Sequence, residues 1–344
     1  MKSDSGINRS LICEILRQEY ALPVERLHFL PTGWVAYCYV VFCANGERYF
    51  LKLISLQGMK PYAASSPDFY LPLTEELHAR QILPHIAYPI PTHRGALSAT
   101  FAGGQLILFN YIPGREVGFG ALSDDILQQV GGLVGVLHHS IAHLRPAHPL
   151  QERFALDFEA DLLHNLDLLR AASRQKPGIQ KLQDLLLPRR GEILQHLRHL
   201  KELQARCLAL NKPMVICHTD LHGGNFIVDA QGQIHILDWE GALIAPPERD
   251  LLSFASDERF WRIFLPVYEQ EAGRAWLESA VFGFYAYHRN LEDLTDWVVR
   301  VLRYNTDEAQ DAEDLNGIQQ DCLAGWPYLE ETISAIQAIL ATRS

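Results

Sequence analysis

Apolar residues recur along this chain first at one period and then at another. Leu11, Ile12, Ile15 and Leu16 repeat at helical spacing, so residues 8–20 read as a short amphipathic helix that Pro23 ends. Residues 27–30 read as a first strand, 35–42 as a strand rich in β-branched and aromatic types, and 48–54 as its return, with the Asn45-Gly46 pair marking a tight hairpin between the last two. Residues 55–67 are loop-like. Ser66-Pro67-Asp68 then opens a helix towards Gln81, with Pro72 as a difficulty inside it. Residues 86–90 and 105–109 are further strands, separated by a turn at 92–95. From Ser123 the period changes from two to 3.6: Ile126, Leu127, Val130, Leu133, Val134 and Leu137 share one face behind the start Ser123-Asp124-Asp125. Residues 158–169, 179–187 and 191–210 continue as helices, and 316–342 is an amphipathic helical tail. The division between the sheet-rich and helix-rich parts falls near 112–122.

One late stretch interrupts the helical pattern. Met214-Val215-Ile216 leads into a polar hook, Cys217-His218-Thr219-Asp220-Leu221-His222-Gly223-Gly224-Asn225. Phe226-Ile227-Val228 leads out, 229–233 turns, and 234–237 returns as a second strand. The hairpin brings Asp238 back towards Asn225, so that Asp220, Asn225 and Asp238 converge. A carboxylate facing a hydroxyl can orient it and accept its proton, and Asn and Asp oxygens suit Mg²⁺; the set fits phosphoryl transfer. Two plainer readings stand beside it. His218, Asp220 and His222 alternate as a hydrolase metal site would, and the two glycines could simply permit the turn. Lys52, between Leu51 and Leu53, is either an outward lysine on a half-exposed sheet or a buried cation with a task.

His218-x-Asp220-x-x-x-x-Asn225 followed by Ile236-Leu237-Asp238-Trp239 resembles the catalytic loop and metal-binding aspartate of the aminoglycoside phosphotransferase and choline-kinase-like family. The runs 237–251 and 285–294 are similar to the spectinomycin phosphotransferase branch. The resemblance implies an α+β, protein-kinase-like fold of two lobes. An N-lobe, 1–112, would carry an antiparallel sheet with a helix and bind nucleotide. A larger, mainly helical C-lobe, 113–344, would carry the catalytic hairpin and the acceptor site. It further implies Asp220 as catalytic base, Asn225 and Asp238 as Mg²⁺ ligands, and Lys52 on the nucleotide phosphates. The turn at 33–36 would lie over those phosphates, and Asn110, Tyr111 and Ile112 would form the linker whose backbone meets the base. The acidic partner of Lys52 would come from the helix after it, as Asp68, Glu75 or Glu76. Asp250 would be a supporting residue. Asp257, Glu258, Glu292 and Asp293 are candidates to face a cationic acceptor. Asp257 and Glu258 read equally well as a charged helix start. ATP is the implied donor, with GTP the alternative.

Composition narrows this picture only a little. With 30 basic and 41 acidic residues the formal net charge is −11, which argues against a nucleic-acid partner and tolerates a cationic small molecule. Six cysteines without a CxxC read as free thiols of a reducing compartment. The polar N-terminus is unlike a signal peptide and no apolar run is long enough to span a bilayer, so a cytoplasmic location with neither membrane nor protein partner is expected. The leading expectation is an ATP- and Mg²⁺-dependent O-phosphotransferase for a small molecule, an aminocyclitol antibiotic such as spectinomycin above all, conferring resistance by inactivation. A metabolic kinase for choline, homoserine or a sugar-like alcohol is the same-class rival. A metal hydrolase built on His218, Asp220 and His222, and a non-catalytic nucleotide-binding protein, are rivals of other classes.

Overall fold

A computed structural model describes residues 4, 6–31, 36–54, 66–102, 104–144, 146, 148–171 and 176–343. The turn expected at Gly33, Trp34 and Val35 lies outside the described residues, as do 55–65 of the expected loop.

Helix α1 (Arg9–Tyr20) forms where its apolar spacing places it, capped by Asn8, whose side chain accepts from the Leu11 N–H at 3.1 Å. It packs on a five-stranded antiparallel sheet of β1 (Val24–Leu30), β2 (Ala36–Cys43), β3 (Arg48–Ile54), β4 (Ala99–Phe101) and β5 (Gly104–Asn110), in the order β1-β2-β3-β5-β4. Alternation assigns the faces. Tyr39, Val41, Leu51, Leu53, Leu106 and Leu108 join Ile12 and Leu16 in one apolar cluster. Lys52, opposite Cys38 and Ile107 in the ladder, therefore points from the other face. Residues 86–90, expected as a strand, make only two isolated bridges, Ile86 to Ile236 and Pro89 to Phe109. Pro84, Pro89 and Pro91 supply no ladder donors, which is why no strand propagates there.

Helix α2 (Pro67–Ala79) starts at Ser66-Pro67 and continues through Pro72. After β6 (Arg115–Glu116) comes α3 (Asp124–Ser140), capped by Ser123 Oγ, which accepts from the Ile126 N–H at 3.3 Å. Then follow α4 (Glu159–Ala171), α5 (Pro177–Leu186) and α6 (Arg190–Ala209). The polar hook lies between β7 (Val215–Cys217) and the hairpin β8 (Phe226–Val228)–β9 (Ile234–Ile236). The remainder is β10 (Leu243–Ala245), which pairs with β7, and helices α7 (Glu248–Ala255), α8 (Leu265–Ala272), α9 (Ser279–Val299), α10 (Glu308–Gly317) and α11 (Trp326–Arg343). No helix among the described residues is long and apolar enough to cross a membrane. All six cysteines are free thiols.

Packing divides the chain into two compact units: 1–150 with 215–244 and 262–273, and 151–214 with 245–261 and 274–344. This boundary differs from the expected break after residue 112. The physical reason is the β8–β9 hairpin: β6 pairs with β8, and Ile86 bridges to Ile236, so the hook and hairpin pack with the sheet that precedes them. In the second unit, Leu162, Leu166, Leu182, Leu197, Leu200, Phe284, Leu291 and Leu294 form one buried cluster drawn from α4, α5, α6 and α9.

Candidate active site

The hook is shaped by two backbone positions that L-residues rarely adopt. Thr219 has φ +77° and Asp238 has φ +59°. For a β-branched threonine this conformation carries strain, and bonds around it hold it in place. Thr219 Oγ1 donates to the Gly241 carbonyl at 2.9 Å. His218 is fully buried: its Nδ1 accepts from the Asp220 N–H at 3.2 Å and its Nε2 lies 2.7 Å from the Leu237 carbonyl. The tautomer with hydrogen on Nε2 serves both bonds, so His218 ties the residue before Asp238 to the backbone of Asp220. Trp239 closes over it edge-on, ring centroids 4.8 Å apart.

The expected convergence is present. Asn225 Nδ2 donates to the Asp220 carbonyl at 2.8 Å and to Asp220 Oδ2 at 3.2 Å. The Leu237 N–H donates to the Asn225 carbonyl at 2.9 Å, setting Asp238 beside it. With its amide nitrogen committed to Asp220, Asn225 offers Oδ1 to a cation. Asp220 keeps 38% of its side-chain surface open, enough for a hydroxyl to reach the carboxylate.

Lys52 also reaches the site. Its Nζ lies 2.8 Å from Asp238 Oδ1 and 2.9 Å from Glu240 Oε1, with 12% of its side chain exposed. This corrects the expected pairing: no carboxylate of α2 contacts Lys52 among the described residues. Glu76 instead pairs with Arg80 at 2.9 Å, and Asp68 sits in the first turn of α2. What α2 buries near the ion cluster is Tyr70, whose hydroxyl has no hydrogen-bond partner and whose pKa is pushed up by burial and then by Glu240. Burial opposes the charge on Lys52, but Glu240 and Asp238 outweigh it and hold its pKa well above the usual lysine range. Desolvation likewise opposes the Asp238 charge, yet Lys52 keeps its carboxyl below the ordinary value. Glu240 goes the other way, because its desolvation exceeds what Lys52 returns. Two carboxylates on one ammonium leave a local excess of negative charge, and Asp238 retains 43% exposure. With the Asn225 amide oxygen, these hard oxygen donors fit a Mg²⁺-sized cation.

Sequence reasoning missed Glu240, whose place beside Lys52 shows only in space. It also missed Phe119, which is 84% exposed and stacks on His222 with centroids 4.9 Å apart. His222 Nε2 in turn lies 3.4 Å from Asp220 Oδ2. The segment bearing Phe119 is strapped to the hook: the Val117 N–H donates to the Phe226 carbonyl and the Gly118 N–H to the Gly223 carbonyl, both at 3.0 Å. Neither Gly223 nor Gly224 has positive φ, so the turn itself does not require them. Close approach does. A Cβ on Gly223 would overlap the Gly118 carbonyl oxygen, and one on Gly224 would stand 2.9 Å from Phe119 Cζ.

The other expected residues have local partners. Asn110 spends its amide on the 86–88 segment, accepting from the Tyr88 N–H at 2.8 Å and donating to the Ile86 carbonyl at 3.2 Å. Tyr111 lies under Arg48, 4.8 Å from guanidinium to ring centroid, and Ile112 is buried. Asp250 is fully buried. In the second unit, Asp257 pairs with Arg259 at 2.6 Å and Asp293 with Arg289 at 3.2 Å. Glu292 lies 3.7 Å from His288, and Glu258 is exposed. The hydrolase rival fails on geometry. His218, Asp220 and His222 do not form a three-ligand group among the described residues, and both nitrogens of His218 are already bonded.

Comparison with known proteins bears on the fold and the family. Among solved structures, spectinomycin phosphotransferase APH(9)-Ia in complex with ADP and spectinomycin superposes with a TM-score of 0.71 at 18% identity, covering 90% of this chain and 93% of that one. A microcompartment-associated aminopropanol kinase gives 0.62 at 15%, covering 94% and 98%. A choline kinase from Cryptosporidium parvum Iowa II gives 0.60 at 15%, covering 95% and 98%. At such identities the likeness establishes the fold alone, which is protein-kinase-like. The model of the phosphotransferase enzyme family, APH, matches residues 30–282, well over half of the chain. The chain therefore belongs to that family and is a phosphotransferase of the small-molecule kinase type.

Proposed function

We propose that the protein transfers the γ-phosphoryl group of ATP to a hydroxyl of a small, cationic acceptor, with an aminocyclitol of the spectinomycin type as the preferred candidate. The observation that carries the reading is the convergence of an exposed carboxylate, Asp220, and Asn225 on the strained hook with Asp238 after β9 and Lys52 from β3. Asp220 accepts a hydrogen bond from the acceptor hydroxyl, aims its oxygen and takes its proton as the new P–O bond forms. Asn225 steadies that carboxylate through its amide nitrogen. Asn225 Oδ1, Asp238 and Glu240 would hold Mg²⁺, which supplies charge neutralisation on the nucleotide phosphates when bound. Lys52 offers its ammonium to the same phosphates. On this reading residues 1–112 form the nucleotide-binding part, with the backbone of Asn110, Tyr111 and Ile112 along the base. Phe119 offers an apolar ring face one stacking distance from His222, suited to a ring-shaped or cationic acceptor. Asp257, Glu258, Glu292 and Asp293 remain candidates for recognising acceptor charge.

The test is acceptor-dependent ADP release from MgATP across aminocyclitols, aminoglycosides, choline, aminopropanol and sugars. Stimulation by spectinomycin supports the whole reading. Stimulation by a different alcohol retains the mechanism and replaces the acceptor. Failure to bind ATP overturns the reading.

A further inference from the structure

We propose that His85, Asp229 and His235 form a binding site for a borderline transition ion, with Zn²⁺ as the reference, distinct from the hard-cation donors Asn225, Asp238 and Glu240. One ligating atom from each of the three side chains lies within 4.8 Å of the others. They come from two chain segments: His85 follows α2, while Asp229 and His235 stand at the tip of the β8–β9 hairpin. The main chain fixes their meeting. The Ile236 N–H donates to the His85 carbonyl at 3.2 Å and the Ala87 N–H to the Ile236 carbonyl at 3.0 Å, about the parallel bridge from Ile86 to Ile236.

The side chains are held in place, and a metal would displace the proton through which His235 Nε2 donates to Asp229 Oδ2, releasing it to solvent. Asp229 Oδ1 accepts from the Gln231 and Gln233 N–H groups, each at 2.9 Å, which orients the carboxylate and leaves Oδ2 facing His235 Nε2 at 2.9 Å. Such fixing of a ligand by its outer neighbours is what metal sites use. The His85 ring stands edge-on to His235, centroids 5.0 Å apart and planes at 80°, and makes no side-chain hydrogen bond of its own among the described residues. A His–Asp hydrogen bond that stabilises a hairpin needs only two of these groups. The third group, an imidazole with a ligating nitrogen within 4.8 Å of both, is what points to an ion.

The donor set selects the ion class. Two imidazole nitrogens and one carboxylate oxygen suit Zn²⁺, Co²⁺ or Ni²⁺, whereas Mg²⁺ prefers oxygen throughout. Bonds of about 2.0–2.2 Å to such an ion put tetrahedral ligands roughly 3.4 Å apart. His235 and Asp229, at 2.9 Å, would part slightly to admit the ion, and His85, within 4.8 Å of both, would approach. With 15% and 13% of the His235 and Asp229 side chains exposed, the ion has a way in and water can complete its shell. A bound ion would fasten the tip of the hairpin, whose base carries Asn225 and Asp238, to the segment that leads into β4.

The test uses the full chain, free of any affinity tag and stripped of metal, with excess Mg²⁺ present to occupy the hard-oxygen donors. Titration with ZnCl₂ should give one saturable equivalent and raise the melting temperature. Co²⁺ should give the visible absorption of a low-symmetry site. His85→Ala and Asp229→Asn should weaken Zn²⁺ binding at least tenfold and remove the thermal shift. Asp229→Asn keeps an oxygen for the two turn N–H groups, and the metal-free melting temperature of each variant reports whether it folds. Absence of a saturable Zn²⁺ equivalent in the parent protein, or its survival in both folded variants, overturns the proposal.

Discussion

At the scale of single residues, the proposed chemistry rests on Asp220 and on the two glycines that follow it. Asp220→Asn keeps the shape of the side chain and removes the proton acceptor. Turnover should fall by about 10²–10⁴, while nucleotide affinity, measured by calorimetry, stays close to that of the parent. Retained turnover would exclude Asp220 as base. Gly223 and Gly224 separate two kinds of steric demand. A methyl on Gly223 meets a backbone oxygen of the strap at Gly118, which cannot swing away, so Gly223→Ala should cost about 1–3 kcal/mol and much of the activity. A methyl on Gly224 meets the ends of the Phe119 and His222 side chains, which can move, so Gly224→Ala should be the milder change in both urea unfolding and turnover. Equal effects would mean that the strap does not constrain the hook. That Asp220, Asn225 and Asp238 would meet was legible in the sequence, because the hairpin fixes their order. Glu240 and Phe119 were not, because their relevance depends on which side chains stand next to them in space.

At the scale of elements, periodicity and caps carried most of the information. Helices α1 and α3 begin at Asn8 and Ser123 because those side chains accept the orphan N–H groups. The sheet was readable from β2 and β3, whereas the proline-rich 86–90 stretch has strand-like side chains without the donors a ladder needs. The acidic partner of Lys52 was sought on α2 and lies instead at Asp238 and Glu240, a choice that helix periodicity cannot express. One element junction rests on a buried ion pair invisible to pattern. Lys212 lies 2.7 Å from Glu248, which is fully buried and also accepts from the Glu278 N–H at 2.8 Å. This joins the starts of α7 and α9 to the segment after α6. Lys212→Met leaves a buried carboxylate without its cation and should destabilise by about 3–5 kcal/mol. Adding Glu248→Leu to that variant should recover part of the loss in a double-mutant cycle.

Across the whole molecule, the acidic limb of stability should bear the mark of His288. Burial first, and Arg249 second, push its pKa down to about 4, and its Nε2 lies 3.2 Å from the Ala155 carbonyl. The ring is therefore neutral in the folded protein at pH 7, so its approach to Glu292 is a contact and not an ion pair. In the unfolded chain the imidazole takes up a proton below about pH 6.5. Between that value and about 4 the unfolded state binds more protons, so stability falls as pH falls, by on the order of 3 kcal/mol over the window. His288→Gln retains a donor for Ala155 and cannot titrate. Its unfolding free energy should drop less between pH 7 and pH 4.5 than that of the parent, and parallel curves would refute the assignment. The family and the two-part composition were readable along the chain. The packing boundary was not, because the hook's attachment to β6 and to Ile86 joins segments distant in sequence.

The double pairing of Lys52 has a thermodynamic corollary. With neither ligand bound, the site satisfies itself: one ammonium holds two carboxylates. A cation that engages Asp238 and Glu240 sets the ammonium loose to seek an anion, and an anion that engages Lys52 sets two carboxylates loose to seek a cation. Each arrival strengthens the other by the same factor, as reciprocity between binding sites requires. On the proposed reading, the site would therefore discriminate by pairing, favouring a nucleotide that comes with its counterion over either one arriving alone.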